Sequence, residues 1–414
     1  MKGLITLSFR NVLRHKKRSL LTILSVTIGI FALVMSSTMI NGIDETTIRN
    51  YRKTMTAPVK IFNTDYFNER NNLPLENLIS DPDQIITTLK SKINHVEITK
   101  RLNFRGRIIV DINEVICNVI GIDPASDNRV FNLKNDILDE NKGTVYDNFS
   151  NGENQCLIGH DLARIIDGAI GDEIIVYTRT VNNAHNAVSY YIAGILNTGN
   201  PEIDSFSVVL KFADASILAD SSGYASEIDL SLNGNYKINS ELLKNDVIHN
   251  INGTVSAYTW KEQLKELLTF FAMRKVAQKL IIVFLLILAV TGVTNTMLMA
   301  VFERTKEIST LSAIGMKNHR IIEMFIYEGI IIGITGALFA FIISTPPILY
   351  ICIQGISLVN SDLTQNMPSK IYGYFDFSYY FYAVIAAVFA AVTGTLYPAL
   401  RAVRLNIAQV LRSK

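Results

Sequence analysis

The sequence predicts an α-helical membrane protein with four transmembrane helices and a mixed α+β extracytoplasmic domain between helices one and two. Three observations predict it. Four apolar stretches, at 19–40, 280–301, 329–353 and 379–400, each run about 20 residues or more without a charge, enough to cross ~30 Å of hydrocarbon as helix. Lys and Arg gather in three segments that a four-helix topology places on one side of the membrane. The region 42–277 carries strand and helix patterns along its length. Composition agrees: 49% of the 414 residues are hydrophobic and 18% charged, with mean hydropathy +0.25, whereas a soluble domain carries about a quarter charged residues.

Residues 1–18 open with Lys2, Arg10, Arg14, Lys16, Lys17 and Arg18 and no acid. The mixed apolar and basic run GLITLSFRNVLR reads as a short interfacial helix or as a cytoplasmic extension of helix one. Helix one spans 19–41. Its apolar run is longer than that of a signal peptide and no small-residue cleavage site follows, so it reads as a retained span. The domain 42–258 contains strand-like stretches such as RGRIIVDI, EVICNVIGI and SYYIAGIL. LIGHDLARIIDGAIGDEIIVYT reads as helix, Gly-Asp turn and strand, and SVVLKFADASIL as strand passing into helix. From Thr259 the sequence TWKEQLKELLTFFAMRKVAQKL is helical without a breaker, giving a stalk at 259–279 that continues into helix two at 280–302. Residues 303–320 form a charged, helix-prone cytoplasmic segment. Helix three follows at 321–353, a short outer loop with Lys370 as its only cation at 354–377, helix four at 378–400, and a basic tail at 401–414. The cations Arg304, Lys306, Lys317 and Arg320, with Arg401, Arg404, Arg412 and Lys414, put both termini and the 303–320 segment in the cytoplasm.

Small residues recur at three-to-four spacing in helix one (Thr22, Ser25, Gly29, Ala32, Ser36), helix three (Gly329, Gly333, Ala337) and helix four (Ala383, Ala387, Ala390, Gly394). They predict close helix packing within one subunit, with a dimer interface as the alternative. Asn295 and Thr296, deep in helix two, read as polar contacts between helices.

Several chemistries have no signature. A net charge of +2 gives no argument for nucleic acid. There is no G-x-x-x-x-G-K-[ST], G-x-S-x-G or H-E-x-x-H. The six histidines have no ligand spacing and Cys117, Cys156 and Cys352 are far apart, so no metal site is predicted; Cys117 and Cys156 read as two unpaired buried thiols, with a pairing between them as the alternative. No span has an ionisable residue near its middle, which disfavours an ion-coupled carrier. The NGT at 252–254 matches a glycosylation sequon of low specificity. Energy for any transport must come from a partner.

The segment ERTKEISTLSAIGMKNHR, 303–320, predicts a short helix stopped at Gly315, with Lys317–Arg320 starting the next helix. Such a surface helix suits another protein's groove; the alternative is an amphipathic loop on lipid headgroups. The run ERTKEISTLSAIGMKNHRIIEMFIYEG resembles the coupling helix of the MacB/FtsX-type ABC permease superfamily. Glu303, Arg304, Glu307, Ile308, Leu311, Ala313 and Gly315 match its pattern, followed by Glu328 and Gly329. RNVLRHKKRSLLTILSVTIGI is similar to the family's entry into helix one. YPALRAVRLNIAQVLR is similar to its C-terminal ending, with Ile407 in place of the usual Pro.

The resemblance implies a non-catalytic permease subunit that binds no cofactor itself and works with a separate ABC ATPase dimer carrying ATP and Mg. It implies a second permease subunit, the same or homologous, and a location in the bacterial inner membrane with a periplasmic domain. Within the superfamily the likeness is to the lipoprotein-releasing (Lol-type) permeases. MacB-type transporters carry an ATPase ahead of helix one, where this sequence has 18 residues, and FtsX-like proteins have smaller outer domains. The cargo implied is a lipoprotein taken from the outer leaflet, with a possible periplasmic carrier receiving it. Phe31, Met35, Met39, Phe284 and Met297 are the candidates for contact with acyl chains; ordinary packed or lipid-facing side chains are the alternative. The carrier-recruiting hook of the Lol family has no counterpart in the short, proline-free RTVNNAHNAV, so a partner permease would supply that contact. A MacB-like efflux mechanotransmitter and an FtsX-like regulator of a cell-wall enzyme remain alternatives.

Overall fold

The computed structural model describes residues 2–14, 16–93, 95–110, 113–232, 239–251, 254–357 and 370–404. His15, Asn252 and Gly253 of the NGT, and the ending 405–414 with Ile407 lie outside the described residues. Contacts divide the chain into two units. One comprises Met1–Glu45, Phe270–Ile356 and Ile371–Lys414, the other Thr46–Thr269 and Ser357–Lys370.

In chain order, α1 (Lys2–Arg14) and α2 (Lys16–Thr54) precede β1 (Val59–Asn63), α3 (Thr64–Glu69), β2 (Ile79–Ser80) and α4 (Pro82–Lys92). Then come β3 (Val96–Val110), β4 (Asn113–Ile122), α5 (Pro124–Val130), α6 (Lys142–Asn151), β5 (Gln155–Gly159) and α7 (His160–Ile165). β6 (Glu173–Arg179), β7 (His185–Leu196), α8 (Pro201–Phe206), β8 (Ser207–Lys211) and α9 (Phe212–Ala219) follow. β9 (Tyr224–Ala225), β10 (Glu227–Leu232), α10 (Ser240–Ile248) and β11 (Val255–Thr259) complete the second unit's strands up to α11 (Trp260–Gln263). The chain ends with α12 (Lys265–Glu303), α13 (Thr305–Ala313), α14 (Asn318–Gln354), β12 (Ile356–Ser357), β13 (Lys370–Ile371) and α15 (Phe377–Val403).

In the first unit, α2, α12, α14 and α15 are long and apolar enough to cross a membrane. Hydrocarbon offers no partner for backbone polar groups, so the apolar runs satisfy them internally as helix. Small residues then set how closely the helices approach. A Cβ at Gly333 would stand 2.9 Å from Val388 Cα, and one at Gly394 2.9 Å from the Val290 carbonyl oxygen. The glycine stripes thus pack helix on helix within this chain. Thr27 Oγ1 donates to the Gly336 carbonyl (3.1 Å) and Thr294 Oγ1 to the Gly394 carbonyl (3.0 Å).

That geometry corrects the polar contact expected on helix two. Among the described residues Thr296 bonds its own helix, to Gly292 and Val293, and Asn295 is exposed. Each residue advances a helix by about 100°, so Thr294 faces α15 while its neighbour at 295 points away.

Ser19 Oγ of α2 donates to the Val12 carbonyl of α1 at 2.8 Å. Ser8 Oγ of α1 donates to the Met324 carbonyl of α14 at 2.9 Å, and Val12 joins the helix core. Ile5, Phe9 and Leu13, four residues apart, form an exposed apolar row on α1.

The second unit is built on a nine-stranded mixed sheet of order β11-β1-β10-β3-β4-β8-β5-β7-β6, with β3 also pairing β6. The long β3–β4 hairpin runs in register from Arg101↔Ile122 to Val110↔Asn113. Side chains alternate across it. Leu102, Phe104, Cys117 and Val119 enter one apolar core with Ile158, Val176 and Leu210. Cys117 and Cys156 in that core are free thiols. Burial alone pushes the Cys117 thiol up to about 12.

The β6–β7 hairpin pairs Glu173 with Tyr191 through Arg179 with His185, closing with Thr180 N–H donating to the Ala184 carbonyl. The stalk expected to be helical without a break from Thr259 steps instead at Leu264 (φ −94°, ψ 18°), between α11 and α12. A reciprocal capping box between Thr259 and Glu262 fixes the start of α11 as a turn of its own.

Candidate functional site

Helix α13 begins where α12 stops. Arg304, between the two, has φ −104° and ψ 17°, outside helical values, and its buried side chain holds the corner. Its Nη1 lies 3.0 Å from Glu328 Oε1 on α14 and its Nε 3.2 Å from Glu307 Oε2 on α13. Glu328 is 1% exposed and its Oε2 has no hydrogen-bond partner among the described residues. A carboxylate in that position needs a counter-charge. Arg304 supplies it, and in doing so ties three helices together.

Two cations from the N-terminal segment extend the network. Arg14 Nη1 reaches Glu307 Oε1 at 3.2 Å and Arg18 Nη1 reaches Glu303 Oε2 at 3.6 Å. Beneath the charges, Ile308 packs with Val301, Ile321, Met324, Phe325 and Ala399.

Helix α13 ends through Ile314, and Gly315 follows with φ +97°, a conformation that favours glycine. Lys317, extended at φ −68° and ψ 145°, starts α14. A Cβ on Gly315 would meet nothing within 4 Å, so this glycine serves backbone geometry and not close packing. Leu311, Ile314, Gly315, Met316, Lys317, His319 and Arg320 line an open hollow of about 440 Å³, and Ile314 is 79% exposed.

The predicted coupling residues therefore divide. Arg304 and Ile308 are buried, while Glu303 and Glu307 are exposed and meet the cations Arg18, Arg14 and Arg304. Ala313 and Gly315 are exposed and Leu311 is half-buried at the rim. Arg14, Arg18 and Glu328 complete the anchor. Their signal in the sequence was an acid set directly against an apolar run, with an excess of basic residues before helix one to answer it.

The five candidate lipid contacts are not gathered into one surface. Met297 is 2% exposed and lies in the core with Val26, Leu33 and Ile332, which removes it as an acyl-chain contact. Its position on α12 points to the neighbouring helices. Phe284, on the same helix, is 61% exposed. Phe31, Met35 and Met39 are half-buried along α2, with Met35 packed on the core.

Residues 19–241 match the family described as MacB-like periplasmic core domain, and residues 279–407 match FtsX-like permease C-terminal. The macrolide export ATP-binding/permease protein MacB of Aggregatibacter actinomycetemcomitans is 26% identical over 364 residues, covering 82% of this chain and 52% of that protein. The chain thus spans about half the length of that relative. The ABC transporter permease YtrF of Bacillus subtilis is 30% identical over 176 residues, 42% of this chain and 40% of that protein. The lipoprotein-releasing system transmembrane protein LolC of Buchnera aphidicola subsp. Schizaphis graminum is 25% identical over 333 residues, 78% of this chain and 77% of that protein. With the first family covering more than half of the chain and the second most of its C-terminal part, the chain belongs to the MacB/FtsX-type ABC transporter permease superfamily.

Proposed function

We infer that this permease subunit extracts lipoproteins from the outer leaflet of the inner membrane, driven by a separate ATPase subunit seated against α13. The observation that carries the ATPase contact is the anchored corner. Arg304 fixes α13 to α14 through a buried carboxylate, so a push on exposed Ile314 or Gly315 passes to a membrane helix instead of dissipating in a loop. The positive-inside distribution of Lys and Arg supports a cytoplasmic position for that corner and for both termini. ATP and Mg would bind the ATPase dimer, and this chain would contribute no catalytic group.

Lipoprotein as cargo is supported by the likeness to a lipoprotein-releasing protein over 77% of that protein's length. Exposed apolar side chains on α12, among them Leu280, Phe284, Ile287 and Leu288, support a greasy surface that a second permease subunit would cover. The short β6–β7 hairpin supports carrier docking through that second subunit. The likeness to MacB over 82% of the chain favours a second reading, an efflux mechanotransmitter.

Purification of the chain with its ATPase, followed by mass spectrometry before and after ATP addition, tests the choice. Acylated lipoproteins released by ATP are expected. An intact ATPase complex that carries an efflux adaptor and no lipoprotein would replace the first reading by the second.

A further inference from the structure

The residues of α1 fall into rows about 100° apart, as a period of 3.6 dictates. Leu4, Ser8 and Val12 form the row that meets the rest of the first unit. Leu4 packs against the cluster of Ile308 and Phe325, Ser8 Oγ reaches the Met324 carbonyl, and Val12 is buried. The next row, Ile5, Phe9 and Leu13, is apolar and between 44% and 52% exposed. The row beyond it holds Arg10 and Arg14, both exposed. Lys16 and Lys17 follow at the start of α2, also exposed, and Leu20, Leu21 and Leu24 of that helix are exposed again. Cations thus stand at the join of two outward-facing apolar stretches.

These cations divide by partner. Arg14 and Arg18 pair with Glu307 and Glu303. Arg10, Lys16 and Lys17 have no ion pair or hydrogen bond among the described residues, and residues 1–18 contain no acid to answer them. Lys17 precedes the uncharged run of α2 by two residues, about 3 Å of helix. A partner for this surface must offer hydrocarbon and negative charge together, at the end of a membrane helix. Water serves the cations alone, and a protein groove would have to ring an apolar slot with acids. A leaflet with acidic headgroups supplies both.

We propose that α1 and the start of α2 form a binding site for acidic phospholipid of the cytoplasmic leaflet. Arg10, Lys16 and Lys17 meet the headgroups, and Ile5, Phe9 and Leu13 lie among the upper acyl carbons. The same helix holds α13 through Arg14 and Glu307 and holds α14 through Ser8 and Met324. Lipid charge therefore sets how firmly the coupling corner is seated. This second half of the proposal rests on the coupling reading above.

The test places the full chain with its ATPase in nanodiscs of equal parts phosphatidylcholine and phosphatidylglycerol, with Phe9 replaced by the photo-crosslinker benzoylphenylalanine. Mass spectrometry of the adducts is expected to show phosphatidylglycerol in about fivefold excess or more, fivefold being the preference that one cation near an acidic surface supplies. The triple change Arg10→Gln, Lys16→Gln and Lys17→Gln should bring the ratio to about one while lipid adducts persist. The charge-keeping triple Arg10→Lys, Lys16→Arg and Lys17→Arg should retain the excess. Adducts to the ATPase in place of lipid would overturn the proposal by giving the apolar row to a protein. Equal labelling of both lipids by the chain with its cations intact would overturn the headgroup site. ATP hydrolysis in the same discs reads the second half. It should fall about twofold or more in phosphatidylcholine alone, and the glutamine triple should show the lower rate in either lipid. Hydrolysis that ignores the lipid while the adduct excess stands would refute the link to α13 and leave the ATPase seat intact. A chain that retains no ATPase would instead refute the coupling reading, with the lipid site still decided by the adducts.

Discussion

Arg304 shows how one side chain can decide a local architecture. It is the only partner that Glu328 has among the described ion pairs, and both are buried. Arg304→Ala would leave that carboxylate alone in an apolar setting, a change that costs about 3–5 kcal/mol when a buried pair loses one member. Arg304→Met with Glu328→Gln removes both charges and should recover most of the loss. Thermal unfolding of the detergent-solubilised chain reads both variants; equal destabilisation by the single and the double change would refute a charge-pair role. The reason is asymmetry: a buried pair adds little net stability, while a buried orphan is expensive. Glu328 was legible in the sequence as part of a motif. That Arg304 lies against it, 24 positions away, required the turn of the chain at the end of α12.

At the scale of elements, helix approach is set by where glycine faces a neighbour. A methyl at Gly333 would lie 2.9 Å from Val388 Cα and 3.1 Å from the Ala387 carbonyl oxygen, both backbone atoms that cannot step aside. A methyl at Gly292 would meet Ser25 Cβ at 3.5 Å, an ordinary contact. Gly333→Ala should therefore destabilise the packing of α14 on α15 by about 1–3 kcal/mol, and Gly292→Ala should change stability by about 0.5 kcal/mol or less. Unfolding midpoints in one detergent compare the two directly, and similar losses would show that glycine spacing alone matters here. The sequence showed the small-residue stripes but not which glycine was pressed against backbone. It also misplaced the polar contact of helix two, because a one-residue error in helical phase rotates a side chain by about 100°.

For the molecule as a whole, the second unit carries a pH dependence of known sign. Burial first, and then the neighbouring Glu227 carboxylate, raises Asp229 to about 7, although Lys60 stands 3.0 Å away, because two carboxylates share that one ammonium. Burial likewise raises Asp204 to about 6 against the hydrogen bonds it accepts from Thr198 and Gly199. Both groups hold a proton in the folded state at pH values where the unfolded chain, near 4, has lost it. Their stabilising contribution is thus complete below about pH 4 and is lost as the pH rises through about 6 to 7. Asp229→Asn should make this unit more stable than the parent at pH 8, by roughly 1–3 kcal/mol, with the advantage shrinking toward pH 5. Lys60 keeps Glu227 as its partner in that variant. Trp260, the sole tryptophan, lies in this unit and reports its unfolding by fluorescence. A variant whose advantage is the same at pH 5 and pH 8 would contradict the raised carboxyl.

The sequence by itself determined the class of the protein. Four uncharged runs of sufficient length, alternating strand patterns between the first two, and the run from Glu303 to Gly329 were enough to give four candidate membrane helices, a mixed sheet domain and the permease superfamily. These are local properties: hydropathy, period and short motifs are read within a few turns of chain. Only the tertiary structure decided which residues meet. It anchored the 303–315 segment through buried Arg304 and left Ile314 and Gly315 exposed, placed Met297 in the core, and broke the expected stalk at Leu264. Contacts between residues tens to hundreds of positions apart follow from helix phase, strand register and the cost of leaving buried polar groups alone, and none of these is fixed by a local pattern.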